Sequence, residues 1–303
     1  MEQLDMEQFR MRIKHDYVKL LDLLARVIDA NKGYSVNDIS DGKRLWDAHN
    51  LANKFIDHAF TVLYLSHGTN VQDIPSFKSS FIDSASIDVL TRATMETFLV
   101  FHYVFFSPQT KEEKDYRYWA YKAAGITERQ SIPIITEETR RTLDNDRLVL
   151  DKLCDKLKSN AVFQNLTEKR KARFFEGKER NLWRWNPDLK KVLSWSDIAI
   201  DAGFSEMLAS HMYRHLSGHA HSSSLSVLQS QQVLINKERE QLIGASIGTI
   251  NIVAANLIRE YCALFSLAQD VLSKDPEGND IVEEWIDIGR RLGENLDTGQ
   301  GND

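Results

Sequence analysis

The stretch Gln241-Leu-Ile-Gly-Ala-Ser-Ile-Gly-Thr-Ile-Asn-Ile-Val-Ala-Ala-Asn-Leu-Ile258 decides the class of fold. It carries no charge and approaches the roughly 20 residues that cross a bilayer. Gln241, Ser246, Thr249, Asn251 and Asn256 dilute it, however, and Arg259-Glu260 follow at once, so a buried core helix is the better reading. The apolar side chains Ile243, Ile247, Ile250, Val253, Leu257, Tyr261, Leu264 and Leu267 recur at helical spacing, which predicts one long helix over about 236–273. Gly244 and Gly248 predict a close helix contact along it.

Working outward, the same periodicity predicts helices near 6–31, 40–67 and 79–106, the last strongly apolar over Phe98–Phe106 and closed by Pro108. Charged amphipathic helices near 110–130 and 136–159 flank Pro133, a short helix spans 205–215, and a final one covers 277–292. With 14 Gly and 5 Pro in 303 residues the chain is poor in turn formers, which favours long helices over many short strands. The expected fold is all-α, a bundle of about nine or ten helices. It forms a single domain over 1–293 with a basic aromatic insertion near 161–195 and a disordered tail at 294–303.

The formal charge of −6 gives no general attraction to nucleic acid or to an anionic membrane. Cys154 and Cys262 stand far apart inside apolar patterns, as packed thiols do in a reducing cytoplasm. The acidic start Met-Glu-Gln-Leu-Asp-Met-Glu lacks the basic-then-apolar order of a secretion signal, so a cytoplasmic protein without membrane association is expected.

One segment departs from the acidic average. Between Glu168 and Lys191 nine basic residues meet four acidic ones, a net of +5 that leaves −11 for the remainder. Lys169, Arg170, Lys171 and Arg173 precede Trp183 and Trp185, and alternating cations and rings suit single-stranded RNA, the cations meeting phosphates and the rings stacking on bases. The competing reading is a solvated helix face followed by a loop pinned into the body by its tryptophans.

Chemistry is most legible in His211-Met-Tyr-Arg-His-Leu-Ser-Gly-His-Ala-His221. A histidine titrates near neutrality and an arginine is a permanent cation, a pairing suited to proton transfer beside a phosphate. Two chemistries compete. His211 and His215 have the four-residue spacing of metal-binding helices, with Glu96, Asp83 or His221 as further ligands, which would give a metal-dependent hydrolase. No His-Glu-x-x-His motif or cysteine pair accompanies them, and Arg214 would repel a cation. Alternatively, an imidazole removes a proton from a ribose 2′-hydroxyl while Arg214 stabilises the charge on phosphorus, with no cofactor. An unbroken helix would set Arg214 and His219 about 140° apart. Gly218 predicts a break near Ser217-Gly218 that lets them converge.

Arg214-His-Leu-Ser-Gly-His219 resembles the Arg-x4-His motif of the HEPN superfamily, all-α proteins that include metal-independent RNases of toxin–antitoxin and antiviral defence systems. The resemblance implies a HEPN-like core and a homodimer whose motifs face each other across a cleft, with a regulatory protein partner a further expectation. It assigns Arg214 and His219 to catalysis and leaves His215 to orient or share the proton. Arg92-Ala-Thr-Met-Glu96, followed by Tyr213-x-x-Leu216-Ser217-x-x-x-His221, is also similar to a family of uncharacterised bacterial helical proteins, over roughly 40–270. That likeness moves the histidine to His221 and makes Arg92, Glu96, Tyr213 and Ser217 supporting residues. Many HEPN members are binding or scaffold modules, so a non-catalytic protein of a multi-protein complex stands beside the endoribonuclease or toxin-type effector. Arg92 and Glu96 read either as an intrahelical pair or as part of the site. His15, His49, His58, His67 and His102 read as structural.

Overall fold

The computed structural model describes residues 2–33, 42–68, 81–186, 188–220, 224, 227–228 and 239–293. The fold is all-α, with twelve α-helices among the described residues where nine or ten were expected, and one two-stranded hairpin. The chain divides into two compact units: unit 1 is Met1–Phe101 with Trp195–Asp303, and unit 2 is His102–Ser194. Unit 2 contains nearly all of the anticipated insertion but begins about sixty residues earlier, and the predicted tail at 294–303 lies outside the described residues.

Unit 1 holds α1 (Glu2–Asp29), α2 (Gly42–Ser66), α3 (Ser84–Phe101), and, after the excursion, the helices numbered from α8 below. These are α8 (Trp195–Asp201), α9 (Tyr213–Ala220), α10 (Arg239–Leu264), α11 (Ser266–Ser273) and α12 (Pro276–Arg291). The uncharged run of α10 packs against α1, α3 and α12, and Ile247, Ile250, Val253 and Leu257 are buried. Three of the polar residues that dilute it find partners inside the bundle. Asn251 Nδ2 donates to the Ile13 carbonyl at 3.0 Å, Ser246 Oγ to Asp88 Oδ1 at 2.5 Å, and Asn256 Nδ2 to the Ile252 carbonyl at 2.8 Å. Buried amides and hydroxyls are tolerated only when bonded in this way. No helix among the described residues is long and apolar enough to cross a membrane.

Two details of the predicted helices change. The 236–273 helix is two helices, because Phe265 adopts an extended backbone (φ −127°, ψ 109°) that stacks its ring on Tyr261 at 4.4 Å. Gly244 and Gly248 serve no close helix contact: a Cβ at either would meet no described atom within 4 Å. Of the isolated histidines, His49 shares a 2.8 Å hydrogen bond with the Tyr261 hydroxyl, His67 donates to the Leu63 carbonyl, and His15 lies 3.3 Å from Asp16.

Unit 2 opens with a π-helical turn, His102–Phe106, closed by Ser107 N–H donating to the His102 carbonyl at 2.8 Å. Next come α4 (Lys111–Arg129), α5 (Glu137–Ser159), α6 (Ala161–Gln164) and α7 (Glu168–Phe175). Thr110 and Thr136 cap α4 and α5 by accepting from the backbone N–H three residues on. The two helices pack together, and Arg129 grips Asp146 through Nε and one Nη, both at 2.5 Å. A 3₁₀ turn, Arg180–Arg184, then leads into strands β1 (Trp185–Asn186) and β2 (Lys191–Val192), which pair antiparallel with Trp185 opposite Val192.

Candidate functional site

Asp88, Arg92 and Glu96 fall four residues apart on α3, the spacing that lines one helix face, and α9 packs against that helix. Apolar contact holds the pair: Leu216 of α9 and Met95 of α3 are fully buried. Along the seam the three groups meet partners from α9 and α10. Arg92 Nε donates to Glu96 Oε1 at 2.9 Å, Arg92 Nη2 to the Tyr213 hydroxyl at 3.2 Å, and that hydroxyl donates to Glu96 Oε1 at 2.7 Å. His215 Nε2 stands 3.9 Å from Asp88 Oδ2, whose other oxygen accepts from Ser246.

The triad is half-buried, with the Arg92 side chain 19% exposed and that of Glu96 29%. Burial opposes the Arg92 charge, but the hydrogen bond to Tyr213 and the attraction of Glu96 outweigh it and hold the guanidinium above its usual range. The phenol of Tyr213 is pushed up to about 12 by burial, then by its hydrogen bond to Glu96 and the nearby carboxylate charge. Tyr213 is therefore a neutral donor across the physiological range, and Glu96 is the acceptor for both neighbours.

The expected site residues divide into three groups. Arg92, Glu96 and Tyr213 come together, and His215 joins the same seam through Asp88. Arg214 and His211 instead stand exposed. The backbone of His219 continues α9, but its side chain and the whole of His221 lie outside the described residues.

The break expected at Ser217-Gly218 does not form. Helix α9 runs through both residues, and the irregularity lies upstream, where Met207–Met212 is a π-helix joined directly to α9. The His219 side chain lies outside the described residues, but along the backbone positions 214 and 219 keep the wide angular separation of a regular helix. The buried helix face accounts for this, because Leu216 can be covered by α3 only if the turn around it stays helical.

Two of the candidate metal ligands are engaged by other groups. Asp83 caps α3, accepting from Ser86 N at 3.1 Å and Ser86 Oγ at 2.5 Å, and Glu96 is engaged by Arg92 and Tyr213. Among the described residues no group of three or more His, Cys, Asp or Glu is placed to hold a metal ion.

In unit 2 the aromatic residues expected to stack on RNA point inward. Trp183 is 8% exposed and meets the rings of Tyr103 and Tyr121 edge-on, with centroids 5.9 and 5.4 Å away. Trp185 is 6% exposed, and the Arg170 guanidinium lies over it at 4.3 Å. Tyr103 and Tyr116 tie the backbone down, donating to the carbonyls of Trp185 and Leu182 at 3.2 and 2.7 Å. Lys171 bonds Glu168 and Gln164, and Arg173 bonds Glu179, while Lys169 stays exposed. The segment is a clasp, and neither indole is open to a base.

Two members of the seam were not anticipated from sequence. Asp88 was detectable, since it stands one turn before Arg92 on a helix whose polar residues recur every fourth position. Ser246 was not, because a serine in an apolar helix reads the same whether it bonds its own backbone or a carboxylate from another helix. Comparison with known proteins finds no family model, no curated protein and no solved structure that matches this chain.

Proposed function

We propose that this chain is a non-catalytic helical binding or scaffold protein, HEPN-like in its core, that works within a multi-protein complex. The observation that carries this reading is the closed triad of Arg92, Glu96 and Tyr213, in which each polar group is already bonded to the other two. Binding a substrate phosphate at Arg92 would mean breaking a charge-assisted bond in a half-buried setting, a cost that a catalytic site avoids by preorganising open donors. His215 is likewise directed at a buried carboxylate, and the tryptophans of the basic segment are closed to bases.

The test is incubation of the purified full chain with labelled single-stranded and hairpin RNA, in EDTA and separately in magnesium or zinc. The expected result is intact RNA under every condition and no growth arrest on expression. EDTA-resistant cleavage that disappears in a folded Arg214→Ala variant would overturn the proposal.

That outcome would establish the second reading, a metal-independent endoribonuclease or toxin-type effector. It is favoured by one observation: His211 and Arg214, three residues apart across the junction of the π-helix with α9, are both exposed. A titratable imidazole beside a permanent cation is the minimum such chemistry needs. Under this reading the enzyme is a homodimer, with the second copy bringing its own pair, and light scattering of the active species would give twice the mass of the chain.

A further inference from the structure

Within unit 1 a recess of about 250 Å³ lies between α1 and α2. An apolar cavity of roughly 150 Å³ is enough to hold benzene, so this volume suits a single ring or branched chain with one small substituent. The walls are largely aliphatic, with Ala25 and Ile28 from α1 and Ile56 from α2. One turn further along α2, Phe60 also lines the recess and is 44% exposed, so its ring is not consumed by packing inside the fold.

The polar groups of the lining differ in what they have left to offer. Asp29 and Lys32 pair with each other at 3.1 Å, so their charges offset. Asn53 Nδ2 donates to the His49 carbonyl at 3.0 Å. His49 is 7% exposed, stacks on Trp46 with ring centroids 5.8 Å apart, and holds its Nδ1 2.8 Å from the Tyr261 hydroxyl of α10. Burial pushes the Tyr261 phenol well above its ordinary range and the His49 imidazole below its own, so the phenol keeps its proton and the ring is neutral at pH 7. The Asn31 side chain bonds the same hydroxyl, and Nδ1 of His49 is the acceptor left for the phenolic proton. The imidazole proton therefore sits on Nε2. That nitrogen has no hydrogen-bond partner among the described residues, and a buried N–H calls for an acceptor.

We propose that this recess binds a small uncharged molecule with a carbonyl oxygen on a single ring or branched alkyl body, the oxygen accepting from His49 Nε2 and the body lying against Ile28, Ile56 and Phe60. A carboxylate fits less well, because a neutral imidazole supplies no counter-charge and Lys32 is already paired with Asp29. The site shares no residue with the α3–α9 seam and does not rest on the function proposed for it.

Titration of the full chain, with histidine labelled in ¹⁵N, tests this with three probes: acetophenone, toluene and benzoate. Acetophenone binds with Kd below about 1 mM. Toluene has the ring without the acceptor and binds at least about threefold more weakly, the worth of one net hydrogen bond, and benzoate binds about tenfold more weakly. Acetophenone also shifts the Nε2 resonance of one histidine, the one whose signal is missing from His49→Gln. Ala25→Leu fills the recess with another good helix former, so acetophenone and toluene are both lost while the melting temperature is kept. Phe60→Ala, at an exposed position that folding does not depend on, weakens both ligands severalfold. The proposal is overturned if acetophenone does not bind, if toluene or benzoate binds as tightly, if the His49 resonance stays in place, or if both Ala25→Leu and Phe60→Ala leave affinity unchanged.

Discussion

In the seam between α3 and α9, Arg92 is gripped by a carboxylate and a phenol while its side chain remains 19% exposed. In the clasp of unit 2, Arg170 lies over the indole of Trp185, which is 6% exposed. Both regions place a cation beside an aromatic ring, and in the sequence both looked like places to meet a polyanion. They differ in what stands opposite the cation. Glu96 neutralises Arg92 locally and keeps Tyr213 as a donor, so the seam is a polar network tuned by charge. Arg170 instead meets the face of a buried ring, a contact whose worth lies in packing and cation–π attraction. Seam variants should therefore respond to charge and pH, and clasp variants to volume.

The largest effect is expected in the clasp. Trp183→Ala or Trp185→Ala removes a buried ring and should cost roughly 3–5 kcal/mol, read from urea unfolding of the full chain. A loss below about 1 kcal/mol would mean that the indoles are not packed as described and would reopen the RNA-stacking reading.

The seam should show smaller losses that couple. Tyr213→Phe deletes a donor to a carboxylate and should cost about 1.5–3 kcal/mol, as should Glu96→Gln if the amide fails to hold both partners. In a double-mutant cycle the pair should be non-additive by at least about 0.5 kcal/mol, whereas Tyr213→Phe combined with Trp183→Ala should be additive. Strict additivity within the seam would dissolve the triad as an energetic unit.

Alkaline titration separates the two regions further. The Tyr213 phenol is raised to about 12 in the fold against an ordinary value of 10.0. Above pH 10 the unfolded chain releases this proton while the folded one retains it, so the unfolded state binds fewer protons and stability falls as pH rises from 10 through 12. Below pH 10 the contribution is fully present. The stability difference between the wild type and Tyr213→Phe should thus shrink across pH 10–12, while the difference for Trp183→Ala stays level. Parallel curves for both variants would contradict the seam's electrostatic character.

The smallest effect is expected at Arg214, whose side chain is exposed: Arg214→Ala should change stability by no more than about 0.5 kcal/mol. A larger loss, measured by thermal melting, would place the guanidinium in a contact and remove it from the exposed face on which the second functional reading depends.

Much of the helix layout was readable because its signals are local. The ranges 110–130 and 136–159 emerge as Lys111–Arg129 and Glu137–Ser159, since Thr110 and Thr136 are caps written in the sequence and Pro133 separates them. Phe265 ends α10 without any helix breaker, because stacking on Tyr261 outweighs the propensity of an uninterrupted run. At Ser217-Gly218 a local signal for a break lost to the burial of Leu216 against α3, and the strain-prone stretch moved to a π-helix over Met207–Met212, where no residue type announces it. In the candidate site, Arg92 and Glu96 were paired in advance by their spacing of four, and Tyr213 was grouped with them only by resemblance.

By itself the sequence determined that the chain is helical, that α10 is a core helix despite its uncharged run, and that charge concentrates at two places. Helical period, caps and buried apolar faces are properties of a few neighbouring residues, so they survive in one dimension. Only the tertiary structure decided what the charges do. Whether Arg92 faces Glu96 and Tyr213, whether His215 turns to Asp88, and whether Trp183 and Trp185 look inward depend on residues from 60 to 160 positions away. Electrostatic and packing energies act through distance in space, and a linear pattern of charges and rings is the same before and after its partners arrive.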